Sequence, residues 1–107
     1  MNPVRPYSIK SQSSKIANIS NKGWCYTYVL WSEKNAQFYT GTTSNLRQRL
    51  KEHTQGLVVS TKHKRPLQLI YFEACLNKDD AYRRERYLKT GMGKRYLRNR
   101  IKGGLTG

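Results

Sequence analysis

Phe38-Tyr39-Thr40-Gly41-Thr42-Thr43-Ser44-Asn45-Leu46-Arg47-Gln48-Arg49-Leu50-Lys51-Glu52-His53 reads as a short strand that turns sharply into a helix. Phe38, Tyr39 and Thr40 are strand formers. Gly41 permits a tight turn or a close backbone approach at the strand's end. Ser44, or Thr43 beside it, is placed to cap a helix whose apolar stripe starts at Leu46 and continues at Leu50. On that helix Arg49 and His53 lie four apart and share a face, beside the strand end that carries Tyr39. A phenol, a guanidinium and an imidazole converging on one point suit an anionic group such as a phosphate.

Upstream, Trp24 to Ser32 has the composition of a partner strand, and Glu33-Lys34-Asn35-Ala36 is a polar tip. The two strands form a hairpin. If Ser32 pairs with Gln37 around a four-residue loop, Leu30 faces Tyr39 and Tyr28 faces Gly41. Both tyrosines then lie on one face as diagonal neighbours, with Val29, Trp31, Phe38, Thr27 and Thr40 on the other. A five-residue loop would put the tyrosines on opposite faces.

Tyr39-Thr40-Gly41 followed by Leu46, Arg49, Leu50 and His53 resembles the second half of the GIY-YIG nuclease signature. Tyr26-Thr27-Tyr28-Val29-Leu30 stands where the first half belongs, with no glycine in its leading triplet and with Thr40 in place of the usual isoleucine of the second. The resemblance runs from about Trp24 to Lys102. It implies an α+β domain with a three-stranded antiparallel sheet flanked by about three helices. It further implies Tyr28 as general base, Tyr39 as the group that positions water or phosphate, and one glutamate on a later helix as a metal ligand.

Composition points the same way. In 107 residues, 21 lysines and arginines stand against 6 acids, a formal charge of +15. One domain of this size holds a modest core, and its surface must be strongly positive. The implied partner is a polyanion, most simply nucleic acid; the resemblance to the nucleases implies DNA. No long apolar run or strongly amphipathic basic helix stands out, which argues against a membrane. Cys25 and Cys75 lack metal-ligand spacing and suit a reduced, intracellular setting; the expected location is cytoplasmic, nucleoid-associated in a bacterium. Residues 1–22 carry two prolines, many serines and basic residues and no acid, the composition of a flexible basic arm with at most a weak helix near Ile16. The domain is expected over residues 23–102, with a frayed end over 103–107.

Within that domain the first helix stops near Gly56, a plausible glycine just past the helix end. Leu57 to Pro66 is a loop whose Lys62, His63, Lys64 and Arg65 form a basic patch suited to phosphates. Leu67 to Cys75 is a third strand. Asn77 or Asp79 caps a second helix with Ala81, Tyr82, Glu85 and Leu88 facing inward, ending at Thr90-Gly91-Met92-Gly93. A third, very basic helix carries Leu97 and Ile101 inward and Lys94, Arg95 and Arg98 toward nucleic acid. Asn99 on it resembles a late asparagine of some GIY-YIG members.

Glu85 is the oddity of the second helix. A carboxylate on an inward stripe costs several kcal/mol unless paired or metal-bound. A salt bridge to a nearby arginine is one reading; a ligand for one Mg²⁺ or Mn²⁺, which keeps most of its water, is the other. Arg49 suits a two-bond grip on the scissile phosphate. A phenol with pKa near 10 is a poor base unless a cation and Arg49 favour its ionised form; His53 is the alternative carrier of the proton. The expected activity is metal-dependent hydrolysis of DNA phosphodiesters, as in repair or recombination, by a monomer or transient dimer. The alternatives are an inert nucleic-acid-binding module and a ribonucleoprotein component.

Overall fold

The hairpin forms in the four-residue-loop register. Strand β1 (Cys25–Ser32) pairs antiparallel with β2 (Gln37–Thr43), with Ser32 opposite Gln37, Leu30 opposite Tyr39 and Tyr28 opposite Gly41. The computed structural model describes residues 23–103; the expected basic arm over 1–22, with any helix near Ile16, and residues 104–107 of the expected frayed end lie outside them. The loop is closed by the Ala36 N–H on the Ser32 carbonyl at 2.7 Å and the Asn35 N–H on the Ser32 hydroxyl at 3.1 Å. Ala36 sits at φ 54°, the left-handed region that a side chain disfavours.

Strand β3 (Leu67–Cys75) pairs antiparallel with the other side of β1, giving the sheet order β2-β1-β3. Both outer strands are therefore edges. Cys25 and Cys75 turn out to be directly opposite one another across β1 and β3, both as free thiols.

Helix α1 (Leu46–Thr54) covers the sheet face that carries Tyr28 and Tyr39. Its cap is Asn45, one residue beyond the expected Ser44 or Thr43. The Asn45 side chain accepts the Gln48 N–H at 3.1 Å, while the Thr43 hydroxyl braces the Asn45 N–H at 3.1 Å. The helix ends as expected at Gly56, with φ 77°. The Gly56 N–H reaches the His53 carbonyl and the Leu57 N–H the Glu52 carbonyl, the paired bonds of a Schellman ending.

The opposite face is covered by α2 (Lys78–Leu88) and α3 (Gly91–Arg100). Val29, Leu88 and Leu97 form its fully buried centre, ringed by Phe38, Ile70, Tyr71 and Tyr96. Burying each of the two leucines contributes roughly 1.5–3 kcal/mol. Asn77 caps α2 by accepting the Asp80 N–H at 3.0 Å, and Thr90 caps α3 by accepting the Gly93 N–H at 3.1 Å.

Two expectations for this layer fail. Gly91-Met92-Gly93 is the first turn of α3, because the Thr90 cap starts a new helix there and a side chain on Gly93 would run into the Tyr87 carbonyl. Tyr82 is exposed: it lies one residue, about 100° of helix, from Ala81, and the fully buried residues of the helix are Ala81 and Leu88.

Candidate active site

Tyr28, at 1% exposure, projects from the middle of the sheet toward α1, and its ring passes over Gly41 on the neighbouring strand. A methyl group on Gly41 would stand 2.5 Å from the Tyr28 hydroxyl. The glycine is therefore a channel that lets the phenol reach past β2.

The hydroxyl ends 2.8 Å from His53 Nε2, and His53 Nδ1 is 2.7 Å from the Thr61 hydroxyl. His53 and Thr61 are buried too, so little of this chain of three groups meets bulk solvent. Burial, with the positive charge of Arg49 behind it, lowers the His53 pKa below its ordinary 6.5, so the imidazole is neutral at neutral pH. Burial likewise raises the Tyr28 pKa above 10, and it outweighs the opposing pull of the Arg49 guanidinium beside the hydroxyl. The His53 ring also meets the Tyr39 ring edge to face at 5.4 Å, so it is wedged between both tyrosines. The Tyr39 hydroxyl accepts a bond from Ser60 at 3.3 Å.

Arg49 lies one turn before His53 on α1 and is part-exposed. Its guanidinium holds Glu52 at 2.9 Å while standing against Tyr28, and Glu52 raises its pKa further.

Glu85 arrives from the other layer. Its carboxylate accepts a short bond from the Thr42 hydroxyl and pairs with Lys89 at 2.8 Å. Gly41 and Thr42 are consecutive on an edge strand, so the Tyr28 hydroxyl and the Glu85 carboxylate reach the same strand end from its two faces. After burial and the nearer groups, the Glu85 charge adds the smallest push to the raised Tyr28 pKa. Tyr28, Tyr39, Arg49, His53 and Glu85 thus converge.

Two parts of the expectation for Glu85 need correction. Its side chain is 19% exposed rather than sealed in the core, and its partners are Lys89 and Thr42, not an arginine. The arginine bridge belongs to Glu73, which Arg84 grips with Nε at 3.0 Å from both oxygens while the Tyr71 hydroxyl donates to it.

The basic residues fall into separate groups. Lys62 and Lys64 flank His63 in a 3-10 turn (Lys62–Lys64). Arg65, expected on phosphates, turns back instead: it donates to the Thr54 carbonyl at 3.2 Å and the Lys62 carbonyl at 3.0 Å, covering the end of α1. Lys94, Arg95 and Arg98 are exposed on α3. Asn99 is exposed beside them, with no hydrogen bond to the tyrosine cluster among the described residues.

Sequence reasoning overlooked Thr61, Thr42, Lys89 and Ser60. Lys89 was within reach, being four residues after Glu85 on the same helix, and Thr42 falls opposite Thr27 once the hairpin register is set. Nothing local marks Thr61 or Ser60, which a loop folds into place.

A tyrosine pair on a β-hairpin, an arginine and a histidine on the helix that follows it, and a glutamate from the next layer define a GIY-YIG catalytic domain. The model of that domain matches residues 24–101, and the chain belongs to the GIY-YIG family, a nuclease-type family. Its relatives are UPF0213 proteins. One from Clostridium perfringens is 42% identical over 65 residues, covering 60% of this chain and 69% of its own. One from Pediococcus acidilactici is 38% identical over 80 residues, covering 69% of this chain and 81% of its own. The solution NMR structure of a UPF0213 protein from Bacillus halodurans aligns at 30% identity with a TM-score of 0.44, over 69% of this chain and 81% of that one. Among the described residues no helix is long and apolar enough to cross a membrane.

The donor set fits one hard divalent cation. Glu85 offers a mostly shielded carboxylate at the rim of the cluster, paired with the more exposed Lys89 ammonium four residues on. Among the described residues no three of His, Cys, Asp or Glu gather into a cage; a single carboxylate suits a cation such as Mg²⁺ or Mn²⁺, which keeps most of its water.

Proposed function

We propose that the protein is an endonuclease that hydrolyses phosphodiester bonds in DNA with one Mg²⁺ or Mn²⁺, serving DNA repair or recombination. The observation that carries this reading is the buried relay from Tyr28 to neutral His53 to Thr61, with Arg49 and Glu85 at its open end. Binding alone has no use for a buried relay, whose members would be cheaper to fold as apolar side chains.

With Nδ1–H donating to Thr61, His53 Nε2 has its lone pair toward the Tyr28 hydroxyl. A water between the strand end and the scissile phosphate gives its proton to the Tyr28 oxygen as that hydroxyl passes its own proton to Nε2. The phenol is never a free phenolate, so its raised pKa is no obstacle. The resulting hydroxide attacks phosphorus in line, and the bond to the leaving sugar oxygen breaks with a proton taken from solvent. Arg49 holds a non-bridging oxygen through two bonds as negative charge builds. Tyr39, held by Ser60 and set edge to face against His53, positions the water. Glu85 and Thr42 would hold the cation, which supplies charge neutralisation on the phosphate and lowers the pKa of bound water. After turnover the imidazolium returns its proton through Tyr28, since burial disfavours the charged ring.

Purified protein incubated with plasmid, single-stranded and branched DNA, with and without Mg²⁺ or Mn²⁺, tests the reading. The expected result is cleavage that requires the cation. DNA binding with no cleavage on any substrate would contradict it and favour the inert binding module.

A further inference from the structure

A second pocket lies at the hairpin end of the sheet, on the α2 and α3 face. Trp31 and Phe38 are directly opposite in the β1–β2 pairing, with rings meeting edge to face at 5.4 Å. Lys94 and Arg98, four apart on α3, close the other side; the Arg98 guanidinium is 6.0 Å from the Phe38 ring. Together with Ala36 and Gln37 they enclose about 330 Å³. That is at the small end of the range for ligand pockets, a size suited to one nucleotide.

Two features set this pocket apart from ordinary surface. Like charges four apart on a helix repel, and among the described residues ion pairs engage Arg49, Arg83, Arg84 and Lys89 but neither Lys94 nor Arg98. Phe38 packs on the buried core, but Trp31 is not among the residues that do so. An anion would relieve the repulsion, and a flat ring would cover the indole.

We propose that this pocket binds one unpaired nucleotide of the nucleic-acid strand, with its base against Trp31 and Phe38 and its phosphate between Lys94 and Arg98. Base–aromatic stacking needs a base out of its duplex stack and tolerates any sequence. Edge strand β2 joins this pocket to the Tyr28 site. Gln37 and Phe38 line the pocket, and Gly41 and Thr42 mark the site. Four residues of strand span about 13 Å, which is about four nucleotides at the spacing of a stacked strand and fewer if the strand is extended. The bound nucleotide therefore flanks the scissile bond on a path along the edge of β2. That placement rests on the endonuclease reading; the pocket itself does not.

The test uses Trp31 as its own reporter. Trp24 and Trp31 are the two tryptophans, so a Trp24→Phe chain reports on Trp31 alone. Titration with an oligothymidylate of about twelve nucleotides, without divalent cation, is expected to quench its fluorescence at saturation. Lys94→Gln with Arg98→Gln should weaken that binding by about tenfold more than Arg47→Gln with Arg86→Gln, which removes the same charge elsewhere. Trp31→Ala should raise KM about tenfold with kcat unchanged, and Trp31→Phe should restore it. A saturated complex with unquenched Trp31, or equal losses from both double variants, overturns the proposal, and both readings survive any loss of fold in Trp31→Ala. Quenching by a protein that never cleaves leaves the pocket standing and sinks the endonuclease reading. Normal cleavage with unquenched Trp31 does the reverse.

Discussion

The two faces of this small sheet are built on opposite principles. Behind it, Val29, Leu88 and Leu97 form a dry core, and the one sizeable polar cluster there, Tyr71, Glu73, Arg84 and Tyr96, satisfies itself with ion pair and hydrogen bonds. In front, under α1, Leu30 is buried beside Tyr28, His53 and Thr61, and these last three make a line of polar atoms where a leucine or phenylalanine would fill the space as well. A buried polar chain adds little net stability and is costly if any link is missing. The rear face stabilises the domain so that the front face can hold reactive groups in fixed positions. The two meet at the end of β2, where Gly41 and Thr42 admit one side chain from each layer.

Breaking one face should leave the other's property intact. The largest expected effect is on the front. Glu85→Gln keeps the shape and removes the charge, so cleavage should fall by about three orders of magnitude. Its melting temperature should change little, since Glu85 is part-exposed and its partner Lys89 more so. An unstable variant that still cuts DNA would reverse the assignment of Glu85. On the rear face, Leu88→Ala should lose about 2–5 kcal/mol in chemical denaturation, while the molecules that remain folded cut at the normal rate. Arg49→Lys should keep DNA binding and lose on the order of a hundredfold in turnover, because an ammonium cannot reproduce the planar two-bond grip. Arg47→Lys on the outer side of α1 should do little, and equal losses would show that Arg49 has no special place.

The fold was largely legible because its signals are local. The hairpin register follows from a four-residue polar tip, and the register alone puts Tyr28 opposite Gly41 and both tyrosines on one face. The strand over Leu67–Cys75 follows from a run of apolar and aromatic residues. Caps were less legible: Thr43, Ser44 and Asn45 are all good capping residues, and which one adopts the cap conformation depends on how the strand hands over to the helix. The start of α3 at Gly91 was hidden because glycines signal an ending, whereas here Gly93 lets α3 begin against α2. That Tyr28, Tyr39, Arg49, His53 and Glu85 form the candidate set was read through spacing that the GIY-YIG resemblance supplied. Their environment was not. Thr61, which orients His53, comes from a loop, and the cross-strand meeting of Cys25 and Cys75 depends on a register that no turn sets. Arg65 looked like any other member of a basic run until the fold offered its guanidinium the Thr54 carbonyl at the end of α1 and the Lys62 carbonyl of the 3-10 turn.

A smaller effect distinguishes the faces by pH. His53 is held neutral, with a pKa below 6.5 in the folded chain. Between that lowered value and 6.5 the unfolded chain binds a proton that the folded chain refuses. Stability is therefore full above about pH 6.5 and is lost as pH falls through the folded value. Melts across pH should show this slope in the wild type and a flatter one in His53→Gln. Cleavage by the wild type should have its acidic midpoint below 6.5 for the same reason. The smallest effect should come from Thr61→Val, which frees the tautomer of His53 without removing the ring; about a tenfold loss of turnover is expected.

Tyr28→Phe tests the relay most directly. The substitution removes one oxygen from a buried ring and leaves the Gly41 channel, Arg49, His53 and Glu85 in place. His53 Nε2 loses its partner, so stability should drop by about 1–3 kcal/mol in denaturant titrations. DNA binding should be unchanged, and single-turnover cleavage of the same preparation should fall by about a thousandfold. A Tyr28→Phe protein that cuts within a few-fold of the wild-type rate would contradict the account, because water would then lose its proton by a route that does not pass through Tyr28.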